Sequence, residues 1–178
     1  MIYTTKLTSP TPQLINFLTK CDSLGYKNNN SLKAMKFEWC LEEGGMWFAT
    51  HDSEDEIISL SGIHPFKDGW RVLFRGAQLE SRPCGLNRYH MQSYCFHSQL
   101  PYQIEWAKGH SKSENPFLYI TTNTDTDQSG RMQKVNKTFL TLERYDIVCC
   151  LGKEEIFNVN QNVWLLDIKN YEGVRNGS

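Results

Sequence analysis

The chain has 178 residues, 39% hydrophobic and 22% charged, with a formal net charge of -1. That length suits roughly one domain of ~100–200 residues and a hydrophobic core that needs no disulfide staples. Near-neutral charge argues against broad electrostatic capture of nucleic acid while leaving room for a small local basic patch, and no apolar run approaches the ~18–20 residues of a membrane span. The opening MIYTTKLTSPTPQ lacks the apolar core of a signal peptide, so an intracellular, cytoplasmic protein is expected. Cys21, Cys40, Cys84, Cys95, Cys149 and Cys150 form no CxxC pair and no zinc-finger spacing, which predicts free thiols.

In chain order, IYTTKLT reads as a short strand of β-branched and aromatic residues. SPTPQLINFLTKCDSLG reads as a helix, with Ser9 or Thr11 as cap, Pro12 in the first turn and Leu14, Phe17 and Leu18 on one face. A second helix is predicted over SLKAMKFEWCLEEGG, capped by Ser31, with Leu32, Met35, Trp39 and Phe37 inward and Gly44 and Gly45 as its stop. MWFATHD, IISLSGIHPF and WRVLFRGAQLE follow as three strands, joined by the polar turns DSEDE and KDG into an antiparallel meander. NRYHMQSYCFHSQLPYQIEWAKGH carries a helical pattern that Pro101 should break or restart. PFLYITTNT is an apolar run suited to a central strand. DTDQSGRMQKVNKTFLTLERYD is a helix with Met132, Val135, Phe139 and Leu142 on one stripe. IVCCLGKEEIFNVNQNVWLLDI gives two last strands, with a turn or bulge at Leu151–Lys153 and a polar break at Asn158–Asn162. Strands with helices inserted singly near the end indicate a mixed sheet with helices on its faces.

The chemistry concentrates where the third strand of the meander gives way to a helix, at QLESRPCGLNRYH. A strand-to-helix turn exposes backbone N–H groups that the helix cannot satisfy internally, and with the helix dipole these make an anion site. Gly85 allows close backbone approach. Arg82 and Arg88 add permanent charge and forked donors, while Pro83 removes one donor and stiffens the turn. The same segment, by composition alone, also fits an ordinary basic surface turn.

The element order, together with RPCGLN at this position, resembles the GNAT superfamily of N-acetyltransferases. In that family the fourth strand ends in a pyrophosphate loop of the form Arg/Gln-x-x-Gly-x-Gly/Ala, followed by a helix. Arg82 and Gly85 match it. Asn87 stands in place of the final small residue, where its side chain crowds a pyrophosphate more than Gly or Ala would. The resemblance implies an α/β fold with a mixed, mostly antiparallel central sheet and helices on both faces, as a single acyltransferase domain over residues 1–178. It implies acetyl-CoA as acyl donor and direct attack by an unidentified primary amine. It also implies roles for single residues. Backbone groups of Ala77, Gln78 and Leu79 would meet the acetyl carbonyl and the pantetheine arm, where an N–H would stabilise an oxyanion. Arg82, Gly85, Asn87 and Arg88 would hold the pyrophosphate, and Asn123 and Asn136 would contact cofactor or substrate. Tyr145 is the nearest tyrosine to serve as acid to the leaving thiolate, because Phe139 cannot donate a proton. Glu80 and His64 are candidates for the base, His64 because an imidazole titrates near neutrality. The expected partners are a small-molecule or peptide amine, with no nucleic acid, no membrane, and a homodimer left open.

Other features have plainer readings. His90 and His97 are seven apart with Cys95 between, a spacing that brings no three ligands together on one helical face, so no metal is expected. The aromatic cluster Tyr89, Tyr94, Phe96, Tyr102 and Trp106 suits core packing. Cys149 and Cys150 are expected to be buried thiols pointing to opposite faces of a strand. Cys84, in the basic turn, would be acidified by the helix dipole and the arginines. Asp52–Glu56 reads as a solvated turn. A second class of function stands beside the enzyme: a degenerate GNAT-like domain that binds CoA, another nucleotide or a protein partner without catalysis.

Overall fold

A computed structural model describes residues 1–23, 32–33, 35–77, 88–124 and 131–177, with the backbone alone at 21–23, 73–77, 88–97, 131–135 and 177. Among the described residues, five helices accompany a seven-stranded sheet of order β1-β2-β3-β4-β5-β7-β6. The strands are β1 (Tyr3–Leu7), β2 (Met46–His51), β3 (Ile57–Phe66), β4 (Gly69–Ala77), β5 (Leu118–Asn123), β6 (Val148–Ile156) and β7 (Val159–Leu166). The helices are α1 (Pro12–Ser23), α2 (Phe37–Glu42), α3 (Arg88–Gly109), α4 (Arg131–Arg144) and α5 (Ile168–Gly177). Strands β4 and β5 run parallel, and the pairs β1–β2, β2–β3, β5–β7 and β6–β7 are antiparallel. The chain forms two compact units, Met1–Pro65 with Phe74–Trp106, and Phe66–Leu73 with Ala107–Ser178.

In the first unit, Thr11 caps α1 by accepting the Leu14 N–H on its hydroxyl at 3.1 Å. Pro12 then takes the first helical position, where its missing N–H costs nothing. Leu14, Phe17 and Leu18 are buried, as their spacing predicts. The second helix is shorter than its periodicity suggests. Lys36 adopts a left-handed φ of 56°, and the Phe37 N–H closes back on the Leu32 carbonyl at 3.1 Å. Helical geometry therefore begins only at Phe37, and Met35, Phe37 and Cys40 point inward while Trp39 is half-buried. Ser31 lies outside the described residues. Gly45 is required for a different reason than ending a helix: a Cβ there would lie 2.2 Å from the Ile63 carbonyl oxygen.

Helix α3 runs unbroken through Pro101, against the expectation of a break. Proline removes one backbone donor from the ladder, but the residues on either side are held by the sheet. The Gln99 side-chain amide donates to Thr50 Oγ1 at 3.0 Å and Ser59 Oγ at 3.0 Å. Gln103 Nε2 donates to Ser61 Oγ at 2.7 Å, and Leu100 and Ile104 are buried beside them. That anchoring offsets the lost hydrogen bond and the clash of the ring with the preceding turn, together about 3 kcal/mol.

In the second unit, the β6–β7 hairpin turns on Phe157 and Asn158, both at positive φ (51° and 62°), as a two-residue connection matching strand twist requires. The irregularity expected at Leu151–Lys153 is a bulge: the pairing register shifts between Cys150 and Gly152, and Gly152 has φ 104°. The sequence reading missed α5. Its cap is Asp167, whose carboxylate accepts the Asn170 N–H at 2.9 Å, and Ile168 and Tyr171 are its buried contacts. Two apolar anchors in a polar segment leave little periodic signal to find. Cys149 and Cys150 also depart from expectation, since both are exposed. Strand β6 is the last strand of the sheet, and its residues from Cys149 to Lys153 are exposed on both faces, so alternation carries neither thiol into a core. Cys40 is buried and donates its S–H to the Ile63 carbonyl at 3.3 Å.

Candidate functional site

Strand β4 reaches Ala77 and α3 begins at Arg88, so the basic segment is flanked by a strand and a helix, as an anion-binding turn requires. Gln78, Leu79, Glu80, Arg82, Cys84, Gly85 and Asn87 lie outside the described residues. By residue type, Arg82 and Arg88 carry two guanidinium groups on either side of Gly85 in the sequence, a donor set that suits a pyrophosphate.

A second candidate region lies in the second unit, at the carboxyl end of β5. Asn123 is its last residue. Asn136, one turn and a half into α4, donates its side-chain N–H to the Asn123 carbonyl at 3.0 Å. The Asn136 side-chain oxygen accepts from Thr122 Oγ1 at 2.6 Å and from Asn162 Nδ2 at 3.0 Å. Thr122 in turn accepts from the Trp164 indole N–H at 2.9 Å. The structure thus brings Asn123 and Asn136 together, and adds Thr122, Asn162 and Trp164, which the sequence reading did not single out. Register explains the grouping, because Thr122 pairs with Asn162 and Ile120 with Trp164 across β5 and β7. Phe139 stacks on Trp164 with ring centroids 5.3 Å apart, which ties α4 to the same face.

Alternation along β5 places Thr121 on the opposite face from Thr122. There Arg71, only 3% exposed, donates from Nε to Thr121 Oγ1 at 2.8 Å and from Nη2 to Gln161 Oε1 at 3.1 Å. Its guanidinium lies 5.6 Å from the Phe157 ring at the hairpin tip. On that face Tyr119 donates to the Asp68 carboxylate at 2.6 Å. Burial first, then the hydrogen bond and charge of Asp68, push the Tyr119 phenol up to about 12.

The remaining candidates are dispersed. His64 sits in β3 at 2% exposure. Its Nδ1 is 2.7 Å from the Pro65 carbonyl oxygen. A carbonyl only accepts, so the His64 Nδ1 carries a proton and donates it there. The Trp39 ring packs edge-on against it at 5.0 Å. Tyr145 follows the end of α4 and is 72% exposed. It lies nine residues beyond Asn136, roughly 13 Å farther along at ~1.5 Å per residue. Among the described residues no group of three or more His, Cys, Asp and Glu could hold a metal ion, and no described helix is long and apolar enough to cross a membrane.

No family model matches the sequence, and no curated protein does. Solved structures do match. A GNAT-family acetyltransferase from Staphylococcus aureus is similar with a TM-score of 0.56 at 10% identity, over 91% of this chain and 98% of that one. A GNAT-superfamily phosphinothricin acetyltransferase from Sinorhizobium meliloti, solved with AcCoA, gives 0.55 at 9% identity, over 92% and 88%. An aminoglycoside 6'-N-acetyltransferase complexed with coenzyme A gives 0.54 at 11%, over 91% and 94%. The chain has the GNAT fold, with the mostly antiparallel seven-stranded sheet that its element order implied.

Proposed function

We propose that this protein is an acyl-CoA-dependent N-acetyltransferase that transfers an acetyl group to a primary amine, with residues 1–178 as one catalytic domain. The observation that carries this reading is the conjunction of a GNAT fold with Arg82-x-x-Gly85 at the junction of β4 and α3. The likeness to proteins solved with CoA or AcCoA supports the choice of donor, and their named substrates support a small amine as acceptor. In this reading Arg82, Arg88 and the backbone about Gly85 bind the pyrophosphate, and Asn87 narrows the loop. An N–H among Ala77, Gln78 and Leu79 stabilises the oxyanion as the amine nitrogen attacks the thioester carbonyl. Asn123 and Asn136 hold the donor at the end of β5. The amine must lose a proton before attack and the departing thiolate must gain one. Glu80 and His64 are the candidate bases and Tyr145 the candidate acid.

One observation favours a second reading, binding of CoA without turnover. Tyr145 is largely solvated and roughly 13 Å along the chain axis from Asn136. Calorimetry with acetyl-CoA and CoA, coupled to a thiol-release assay over an amine panel, separates the two. Turnover supports the enzyme, binding alone supports the second reading, and no binding removes both. Within either, Arg82→Ala should weaken CoA binding by ~1.5–3 kcal/mol, the range for a charged hydrogen bond. Unchanged affinity would mean that the turn is not the cradle.

A further inference from the structure

The hydrogen bonds around Asn136 have a fixed direction. An indole N–H can only donate, so Thr122 Oγ1 accepts from Trp164 at 2.9 Å and turns its own proton to the Asn136 oxygen at 2.6 Å. The far end is fixed as well, because the Asn123 carbonyl can only accept, and Asn136 Nδ2 donates to it at 3.0 Å. Asn162 Nδ2 supplies a second donor to the Asn136 oxygen at 3.0 Å. Turning the Asn136 amide over would set its oxygen against the Asn123 carbonyl and break both bonds on the other side. Trp164 is 2% exposed and Thr122 5%, so water cannot easily replace them.

We infer that Trp164 and Thr122 are positioning residues for the acyl donor: they orient the Asn136 amide and, through it, the last peptide of β5. This rests on the acetyltransferase reading above, in which Asn123 and Asn136 meet CoA. Neither residue needs to touch the ligand. Their effect passes through the amide they hold.

Thr122→Val keeps the shape of the side chain and removes its hydroxyl. Trp164→Phe keeps an aromatic ring against Phe139 and removes the N–H. Each should raise the Kd for CoA and the KM for acetyl-CoA roughly three- to tenfold, the equivalent of one neutral hydrogen bond. With saturating acetyl-CoA, kcat should stay within about twofold, as expected when only donor binding is lost. Thr122→Ser, which retains the hydroxyl, should restore wild-type values, and the double variant should be less than additive. A structural readout needs no ligand. The indole N–H resonance of Trp164, assigned by its loss in Trp164→Phe, should shift in Thr122→Val and hold in Thr122→Ser. An unmoved resonance overturns the inference directly. If the wild type binds CoA and Thr122→Val and Trp164→Phe bind it equally well, the inference falls and the acetyltransferase reading stands. If the wild type binds neither CoA nor acetyl-CoA, that reading falls and takes the positioning role with it.

Discussion

Two helices of this protein are joined to sheet strands by side-chain amides, and the two junctions are built differently. Under α3, Gln99 and Gln103 direct their Nε2 donors at Thr50, Ser59 and Ser61. Their side-chain oxygens are buried and have no hydrogen-bond partner among the described residues. Under α4, both ends of the Asn136 amide are engaged, by Thr122 and Asn162 on the oxygen and by Asn123 on the nitrogen. An amide satisfied at one end anchors a helix but gives back part of what it gains through the desolvated acceptor. An amide satisfied at both ends anchors the helix and also fixes its own orientation. The second kind of junction stands where the site reading needs geometry held, at the end of β5, whereas the first lies along the body of α3.

The strongest test of that contrast is Asn136→Leu. It strands the proton of the buried Thr122 hydroxyl and leaves the half-buried Asn162 amide and Asn123 carbonyl to water, and should cost ~1–3 kcal/mol in urea unfolding, the range for one buried group left unpaired. A loss below about 0.5 kcal/mol would mean that apolar contacts such as Phe139 on Trp164, not the amide, hold α4.

A smaller effect is expected at Tyr119, another fully partnered group, where Tyr119→Phe should cost about 1 kcal/mol near neutral pH for the lost bond to Asp68. The pH dependence sharpens this. Burial and Asp68 raise the phenol to about 12, above its unfolded value near ~10. The folded state therefore holds the proton more tightly. Its contribution is complete below pH ~10 and is lost as pH rises through about 12. Thermal unfolding across this window should show an alkaline step in the wild type that is absent in Tyr119→Phe.

The smallest change is expected on the other side of the comparison. Gln103→Met removes the donor to Ser61 but also the orphaned acceptor, so the two effects oppose and the net change should stay under about 1 kcal/mol. A loss as large as that of Asn136→Leu would show that the Gln103 oxygen has a partner, such as an ordered water, and would erase the contrast.

Much of the architecture was legible from local pattern. Thr11 and Pro12 announced α1, the segment IISLSGIHPF, read between its flanking polar turns, coincides with β3, and a turn or bulge was expected at Leu151–Lys153, where the register shifts beside Gly152. The misreadings were equally local. The left-handed Lys36 cut α2 short, Pro101 was tolerated because Gln99 and Gln103 brace the helix around it, and α5 carries only two apolar anchors. Within the site, Asn123 and Asn136 were named from a resemblance and do meet. Their partners Thr122, Asn162 and Trp164 were not, since nothing in TTNT or NQNVW says that they share a face with one another.

By itself the sequence determined the seven strands, most of the helices and their order, and that Arg82 and Gly85 fall between a strand and a helix whose first residue is Arg88. Those properties follow from periodicity, caps and turn chemistry, which act over a few residues. Only the tertiary structure decided that Trp164, Thr122, Asn136 and Asn123 form one directed line of hydrogen bonds. That line depends on the register of β5 against β7 and on where α4 lies over them. Contacts between residues about 40 apart in sequence are set by packing the whole sheet, not by any local pattern.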